Sequence, residues 1–333
     1  MKRKAKSERG EKGKRGRGKT SDKLAPFSLS TFPHDSSVSI IGAGRLGVAL
    51  GIALAARGFE VEAIVARRLS HARRAAKLIG QRTRALSSAQ LDKLKPASIV
   101  FITTPDDVIE SVAEELAASI KGSVRGSVAL HASGALSSEV LHALRAVGFE
   151  TGSMHPLISV SDPLVGAESL AEAHFCIEGQ PRAARLARSL VRSLGGRSFS
   201  IKTKDKALYH AAAVMSSGHV VALFDLAAEL LESCGLSNKQ SRAALLPLMK
   251  STLENLSRHT PARALTGTFA RADLSTVIKH LAALQTSNSR EALRAYALLG
   301  LRSIELAKEN GADALTLKKI SSTLQIVLKN EKR

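Results

Sequence analysis

The sequence predicts an α/β protein in which a doubly wound, largely parallel sheet is followed by an all-helical region. Three observations carry this. Short β-branched apolar runs alternate with helical spacing from Ser37 onward, the first run ends directly in a glycine-rich turn that opens a helix, and beyond Lys202 helical spacing continues without strands.

"VSIIGAG" (38–44) is a continuous apolar run ending in glycines, the pattern of a strand buried on both faces. "RLGVALGIALAARG" follows at helical spacing and stops at Gly58, a usual residue just past a helix end. "EVEAIVA" (60–66) is the next strand, and "SHARRAAKLIG" a short helix with Ser70 as its expected N-cap and Gly80 as terminator. "ASIVFITTP" (97–105) is a further strand, after which Asp106 and Asp107 open a helix, since carboxylates favour the amino end of the macrodipole. "SVALHAS" (127–133) and the helix "SSEVLHALRAVG" complete another βα unit. Weaker strands at 150–157, 174–179 and 197–201 extend the sheet, with "PRAARLARSLVRSLGG" as a helix between the last two. The helical region is expected to break near Gly235, Pro247, Pro261 and Gly311.

This gives three parts: a basic tail over 1–35, an α/β domain over 36–202 and an all-helical domain over 203–333. A chain of 333 residues is long enough for two cores. The formal charge of +20 suggests nucleic acid at first sight. Residues 1–23, however, hold eleven Lys and Arg against Glu8, Glu11 and Asp22, and this nearly apolar-free stretch reads as a disordered, solvated tail. Weak contact of that tail with nucleic acid is not the favoured reading; the rest of the chain, about +12 spread over many helices, holds no basic patch interleaved with aromatics, and aromatics at 3% disfavour stacking on bases. Cys176 and Cys234 form no paired spacing, which fits a reducing, cytoplasmic setting. His219 and Asp225 interrupt the most apolar window, "HAAAVMSSGHVVALFDLAAELL", and argue against a membrane span.

"GAGRLG" places Gly42, Gly44 and Gly47 in G-x-G-x-x-G order between a strand and a helix, with a second strand following. The first glycine permits the tight turn, the second admits a pyrophosphate, and the third lets helix and strand pack. The N–H groups of the helix start, around Arg45 and Leu46, then receive the negative charge. The fold class is thus a doubly wound, Rossmann-type sheet. Arg67 lies 25 positions after Gly42, where a protein that binds NAD presents a carboxylate to the ribose 2′-hydroxyl. A guanidinium there pairs with a 2′-phosphate instead, so Arg67, Arg68 and the hydroxyl of Ser70 select NADP. Glu62, the one nearby acid, sits too early in its strand to reach the ribose. The loops "TTPDD", with Thr103, Thr104 and Pro105, and "HASGALSS", with His131 and Ser133, face the rest of the cofactor.

"GAGRLG", "HASGALSSEVL", "GSMHPL", "KALYHAAAV", "LTGTFARAD" and "TVIKHL" stand in the order seen in bacterial proteins with a Rossmann-like domain followed by a DUF2520 domain. The chain resembles that family over roughly residues 37–300, and through it coenzyme F420-dependent NADP reductases, pyrroline-5-carboxylate reductase and the 6-phosphogluconate dehydrogenase superfamily. The resemblance implies an NADP-dependent oxidoreductase with a homodimerising helical domain and a site between the domains, holding His131, Ser133, His155, Lys206, Tyr209 and His210. It leaves the substrate open. Reducing a C=O or C=N bond needs an acid, expected to be Lys206 or His210, which are four apart on one helix face, with His155 positioning substrate. No metal is expected, since His131, His155 and His210 include no H-x-x-x-H pair. The chain departs from the family pattern at Gly218, Thr268 and Ala272, where Asn, Pro and Gly are usual. Loss of the amide puts turnover in question, so a non-catalytic NADP(H)-binding regulatory or scaffold protein is the alternative.

Overall fold

The computed structural model describes residues 37–330 apart from 96, 121, 123 and 288. The expected disordered tail lies outside the described residues. The contacts divide the chain into two units, Met1–Thr203 and Lys204–Arg333.

The first unit is built on one eight-stranded sheet, β1 (Ser37–Ile41), β2 (Glu60–Ala66), β3 (Arg84–Ser87), β4 (Ile99–Ile102), β5 (Val128–His131), β6 (Glu150–Pro156), β7 (His174–Gly179) and β8 (Arg197–Phe199). Their order across the sheet is β3-β2-β1-β4-β5-β6-β7-β8, and only the β6–β7 pairing is antiparallel. Chain order reverses direction at β1, where β2 and β4 flank the first strand. That reversal opens a crevice at the carboxyl ends of the strands. The strand β3 carries no sequence signal: "RALS" is four residues long and without a β-branched side chain. Its pairing with β2 creates it, reinforced by an ion pair between Arg84 and the buried Glu62 carboxylate. Ser39 also donates to Glu62 (3.3 Å), so the acid sits inside the sheet edge, away from the crevice.

Helices α1 (Arg45–Ala56), α2 (Leu69–Ile79), α3 (Ile109–Ser119), α4 (His142–Ala146), α5 (Pro163–Ser169) and α6 (Pro181–Leu194) cover the sheet. One core joins α1, α2 and α6 to one face through Leu50, Leu54, Ile79, Leu190 and Val191; a second joins α3 and α4 to the other through Ile109, Leu116 and Leu144. Two local expectations are corrected. The cap of α2 is Arg68, which puts Ser70 inside the first turn, and the segment Asp106–Val108 is a 3₁₀ turn that precedes α3. The Pro105 carbonyl closes that turn by accepting from the Val108 N–H (3.2 Å).

The second unit is helical throughout its described residues: α7 (Lys206–Met215), α8 (Gly218–Ser233), α9 (Asn238–Arg258), α10 (Pro261–Ala264), α11 (Gly267–Ala270), α12 (Leu274–Thr286), α13 (Arg290–Glu309) and α14 (Ala314–Asn330). Its core lies between α12, α13 and α14, around Val277, Leu281, Ala297, Ile304, Ile320 and Leu324. Breaks fall at Gly235, Pro261 and Gly311 as expected, but Pro247 lies inside α9. A proline removes one N–H and crowds one carbonyl, which a long helix with a strong amino-terminal cap survives. Here Ser237 and Gln240 form a reciprocal capping box. The segment Thr203–Ser233 is long and apolar enough to cross a membrane by length and composition alone.

Candidate nucleotide-binding site

The carboxyl ends of β2 and β4 flank the glycine-rich turn at the end of β1. Gly42 donates its N–H to the Val65 carbonyl (2.9 Å), and Thr103 donates to the Ile41 carbonyl (2.8 Å), so three strands fix the turn's base. Gly42 has φ +122, and a Cβ there would stand 2.7 Å from the Thr103 carbonyl carbon. A Cβ on Gly47 would collide with the Gly42 carbonyl oxygen and with Thr103 Oγ1. Those two glycines are thus required by packing. Gly44 differs: it has φ −75 and ψ 177, and nothing lies within 4 Å of the position its Cβ would take. Its open side lies over the first turn of α1, which has no side-chain cap and no acidic residue. Bare N–H groups at the positive end of a dipole receive anions.

Thr103 serves that turn rather than a ligand, since its hydroxyl donates to the Gly42 carbonyl oxygen (2.9 Å). The neighbouring Thr104 Oγ1 is buried and has no hydrogen-bond partner. Such an orphan hydroxyl costs about 1–3 kcal/mol of desolvation unless a ligand satisfies it. Open space at Gly44, bare N–H groups and an orphan hydroxyl together fit a pyrophosphate-bearing dinucleotide.

At the end of β2, two residues beyond the Val65 carbonyl that holds Gly42, Arg67 and Arg68 are both exposed, as are Arg45 and Ser70, while Leu46 and Pro105 complete the rim. No hydrogen bond or ion pair engages the Arg67 and Arg68 side chains among the described residues. Glu62, pinned to Arg84 and Ser39, does not neutralise them.

His131, fully buried at the end of β5, is held by its loop. The Ser133 N–H donates to His131 Nδ1 (3.1 Å), which leaves the ring proton on Nε2, 3.1 Å from the Ser137 carbonyl oxygen. The Ser133 hydroxyl donates to Asp106 Oδ2 (2.8 Å) and accepts from the N–H groups of Ala135 and Leu136 (3.1 and 3.0 Å). His131 and Ser133 therefore shape the loop after β5 and tie it to the loop after β4. In the sequence Asp106 marks only a helix start, and Glu178 stands out by no motif. Glu178 accepts from Ser138 N–H and Oγ (both 2.8 Å) and from Thr203 Oγ1 (3.2 Å). The available signal was a carboxylate closing the apolar strand "HFCIEG". His155, on β6, is partly buried and paired in register with Cys176.

The remaining candidates belong to the second unit. Lys206, the first residue of α7, is 1% exposed, and His210 lies one turn on with Tyr209 beside it. Gly218 opens α8, and a Cβ there would meet Val214 Cγ1 at 4.0 Å, an ordinary contact. Thr268 lies in α11, and Ala272, just beyond, has φ +50, the left-handed region that its usual glycine adopts without cost. Asp273 caps α12, accepting from Thr276 N–H (3.0 Å) and Oγ1 (2.7 Å) and from Ser275 Oγ (2.9 Å). These bonds, Thr276's side chain first, bring its carboxyl down to about 2. Among the described residues no cluster of three metal-ligating side chains occurs.

Two family models match the chain: a Rossmann-like domain over residues 27–156 and a domain of unknown function, DUF2520, over residues 173–303. The chain thus carries a Rossmann-like domain followed by a DUF2520 domain. Solved structures of similar fold include a provisionally assigned NADP oxidoreductase of Bacteroides fragilis, 22% identical, covering 80% of this chain and 97% of its own with a TM-score of 0.66. A Thermotoga maritima protein is 23% identical, covers 89% of this chain and all of its own, and has a TM-score of 0.59. Pyrroline carboxylate reductase of Plasmodium falciparum, with NADP bound, is 14% identical and covers 87% and 98% at a TM-score of 0.50. At such identities the likeness is one of fold. No curated protein matches the sequence. The DUF2520 match begins at the last strands of the sheet, so it takes in Glu178 together with Lys206, Tyr209 and His210.

Proposed function

We propose that this Rossmann-like DUF2520 protein is an NADP-dependent oxidoreductase that reduces a C=O or C=N bond in a small polar substrate. The observation that carries it is the pairing of an open Gly44 over an uncapped helix with two exposed guanidiniums, Arg67 and Arg68, at the end of β2. The helix-start N–H groups and Thr104 Oγ1 hold the pyrophosphate, and Arg67, Arg68 and Ser70 hold the ribose phosphate. Bound NADPH supplies the hydride. Lys206 or His210 supplies the proton that the reduced product takes up, and His155 orients the substrate. NADP-bound and reductase relatives of the same fold support this reading.

The protein acts as a homodimer through its helical unit. Support comes from the apolar side chains left in water along α7–α9, among them Leu208 (76% exposed), Val221 (70%) and Leu248 (64%). A monomer rarely keeps such an apolar surface exposed. NADPH and NADH titrations of wild type and Arg67→Asp test the cofactor assignment; equal affinity for both cofactors in wild type sinks it. Tight NADPH binding without turnover over a carbonyl and imine panel, even in Gly218→Asn, favours the non-catalytic binding protein. Sedimentation of the full chain as a monomer in detergent-free buffer removes the dimer.

A further inference from the structure

The two helical layers of the first unit carry opposite charge. On one face, α2 bears Arg73, Arg74 and Lys77 and no carboxylate. On the same face, α6 bears Arg182, Arg185, Arg188 and Arg192, again with no carboxylate. On the opposite face, α3 and the turn before it (residues 106–119) hold Asp106, Asp107, Glu110, Glu114 and Glu115 and not one cation, while the one arginine of α4, Arg145, is paired with Glu139. Ion pairs such as Arg84–Glu62, His142–Glu110 and Arg145–Glu139 lie elsewhere, and none engages any of the seven cations among the described residues. Arg182 and Arg188 donate to the Gly126 carbonyl and to Ser200 Oγ, neutral partners that steady the guanidiniums and leave their charge. Between the two helices, α5 contributes one acid, the exposed Glu168.

Topology sets the spacing. Helix α2 packs on β2 and β3 and α6 on β5, β6 and β7, so the basic ridges stand roughly 20 Å apart at the usual distance between neighbouring strands. We propose that this layer docks the phosphodiester backbone of nucleic acid, independently of the nicotinamide site and of the basic tail. Six of the seven cations are arginines, whose planar fork pairs with phosphate oxygens. The apolar faces of both helices, through Ala75, Ile79, Ala187, Leu190 and Val191, are spent on the core, and Leu78 is the one large apolar side chain they leave exposed. That distinguishes the layer from a membrane-binding helix, which turns its apolar face outward. With aromatics at 3% the contact reads charge rather than base sequence.

Anisotropy of a fluorescein-labelled 20-base-pair duplex, titrated with the full chain at several NaCl concentrations, tests this. Each phosphate contact contributes about 0.9 to the slope of log affinity against log salt. The triple variants R73Q/R74Q/K77Q and R182Q/R185Q/R192Q should each flatten the slope by about 3, and their combination by about 5. Glutamine is a good helix former, and unchanged NADPH affinity in both triple variants verifies their fold. The chain lacking residues 1–35 should keep most of the slope. An unchanged slope in the sixfold variant, or loss of all duplex binding with the tail, overturns the proposal. So does retention on phosphatidylserine vesicles without duplex binding.

Discussion

Gly44 and Gly47 sit three residues apart, and substituting each by alanine separates folding from binding. In Gly47→Ala the new methyl meets the Gly42 carbonyl oxygen and Thr103 Oγ1, with the Gly42 carbonyl carbon at 3.2 Å. The carbonyl is backbone, tied through the 2.9 Å bond from Thr103 Oγ1, and cannot move without opening the turn. Overpacking of this kind costs about 1–3 kcal/mol. For a unit of this size that lowers Tm by roughly 2–12 °C. In Gly44→Ala the methyl meets nothing within 4 Å, and φ −75, ψ 177 suits any residue. Folding should be unharmed, and a less flexible unfolded chain adds about 0.4–1 kcal/mol. A methyl at that place nevertheless occupies the path by which a pyrophosphate reaches the helix-start N–H groups. NADPH fluorescence titration should then show at least about tenfold weaker binding, as expected for losing roughly 1.4 kcal/mol. Differential scanning fluorimetry without ligand reads the stability arm. A Gly44→Ala protein that binds NADPH like wild type would falsify the placement of the pyrophosphate, whatever its Tm.

Arg67→Asp should lose about 1.5–3 kcal/mol of NADPH affinity, the worth of a charged hydrogen-bonded pair, and leave NADH binding within a few fold, as judged by parallel titrations. Ala272→Gly relieves a left-handed residue worth about 1–2 kcal/mol against a chain-entropy cost of about 0.5–1, so its urea midpoint should rise slightly; a fall contradicts the strain at φ +50. The Asp273 carboxyl is lowered from 3.8 to about 2, so its cap contributes fully above pH 4 and is lost as pH falls towards 2. Urea unfolding at pH 5, 3 and 2.5 should show this loss in wild type and a smaller one in Asp273→Asn, which caps without titrating. Ser133→Ala strands the N–H groups of Ala135 and Leu136 and frees Asp106, at a cost of about 1–3 kcal/mol; Ser133→Thr should restore most of it in denaturant melts.

Much of the fold was legible because it rests on local pattern. The apolar runs of β1, β2, β4 and β5 are buried strands wherever they occur, and "GAGRLG" between a strand and a helix has few other uses. β3 was illegible because its four residues become a strand only by pairing with β2. Pro247 lies inside α9 although local rules count a proline as a stop, because a helix with a strong amino-terminal cap tolerates one. At the candidate site, the turn built by Gly42 and Gly47 and the exposure of Arg67 and Arg68 follow from backbone freedom and charge, which local sequence carries.

The sequence by itself determined where along the chain the residues of the proposed dinucleotide site stand: three glycines at one turn and two arginines 25 and 26 positions after the first. The tertiary structure alone decided how each is used. It separates Gly44, which faces open space, from Gly42 and Gly47, which face Thr103, and turns the Thr103 hydroxyl to the turn while leaving that of Thr104 unsatisfied. It commits Ser133, His131 and Glu178 to holding loops, through partners 2 to 40 residues away. It also gathers the cations of α2 and α6 on one face of the sheet, although Lys77 and Arg182 stand 105 positions apart in the chain. The physical reason is the same throughout. Hydrogen bonds, close contacts and charge density depend on distances in space, and only the pairing of strands brings those distances about.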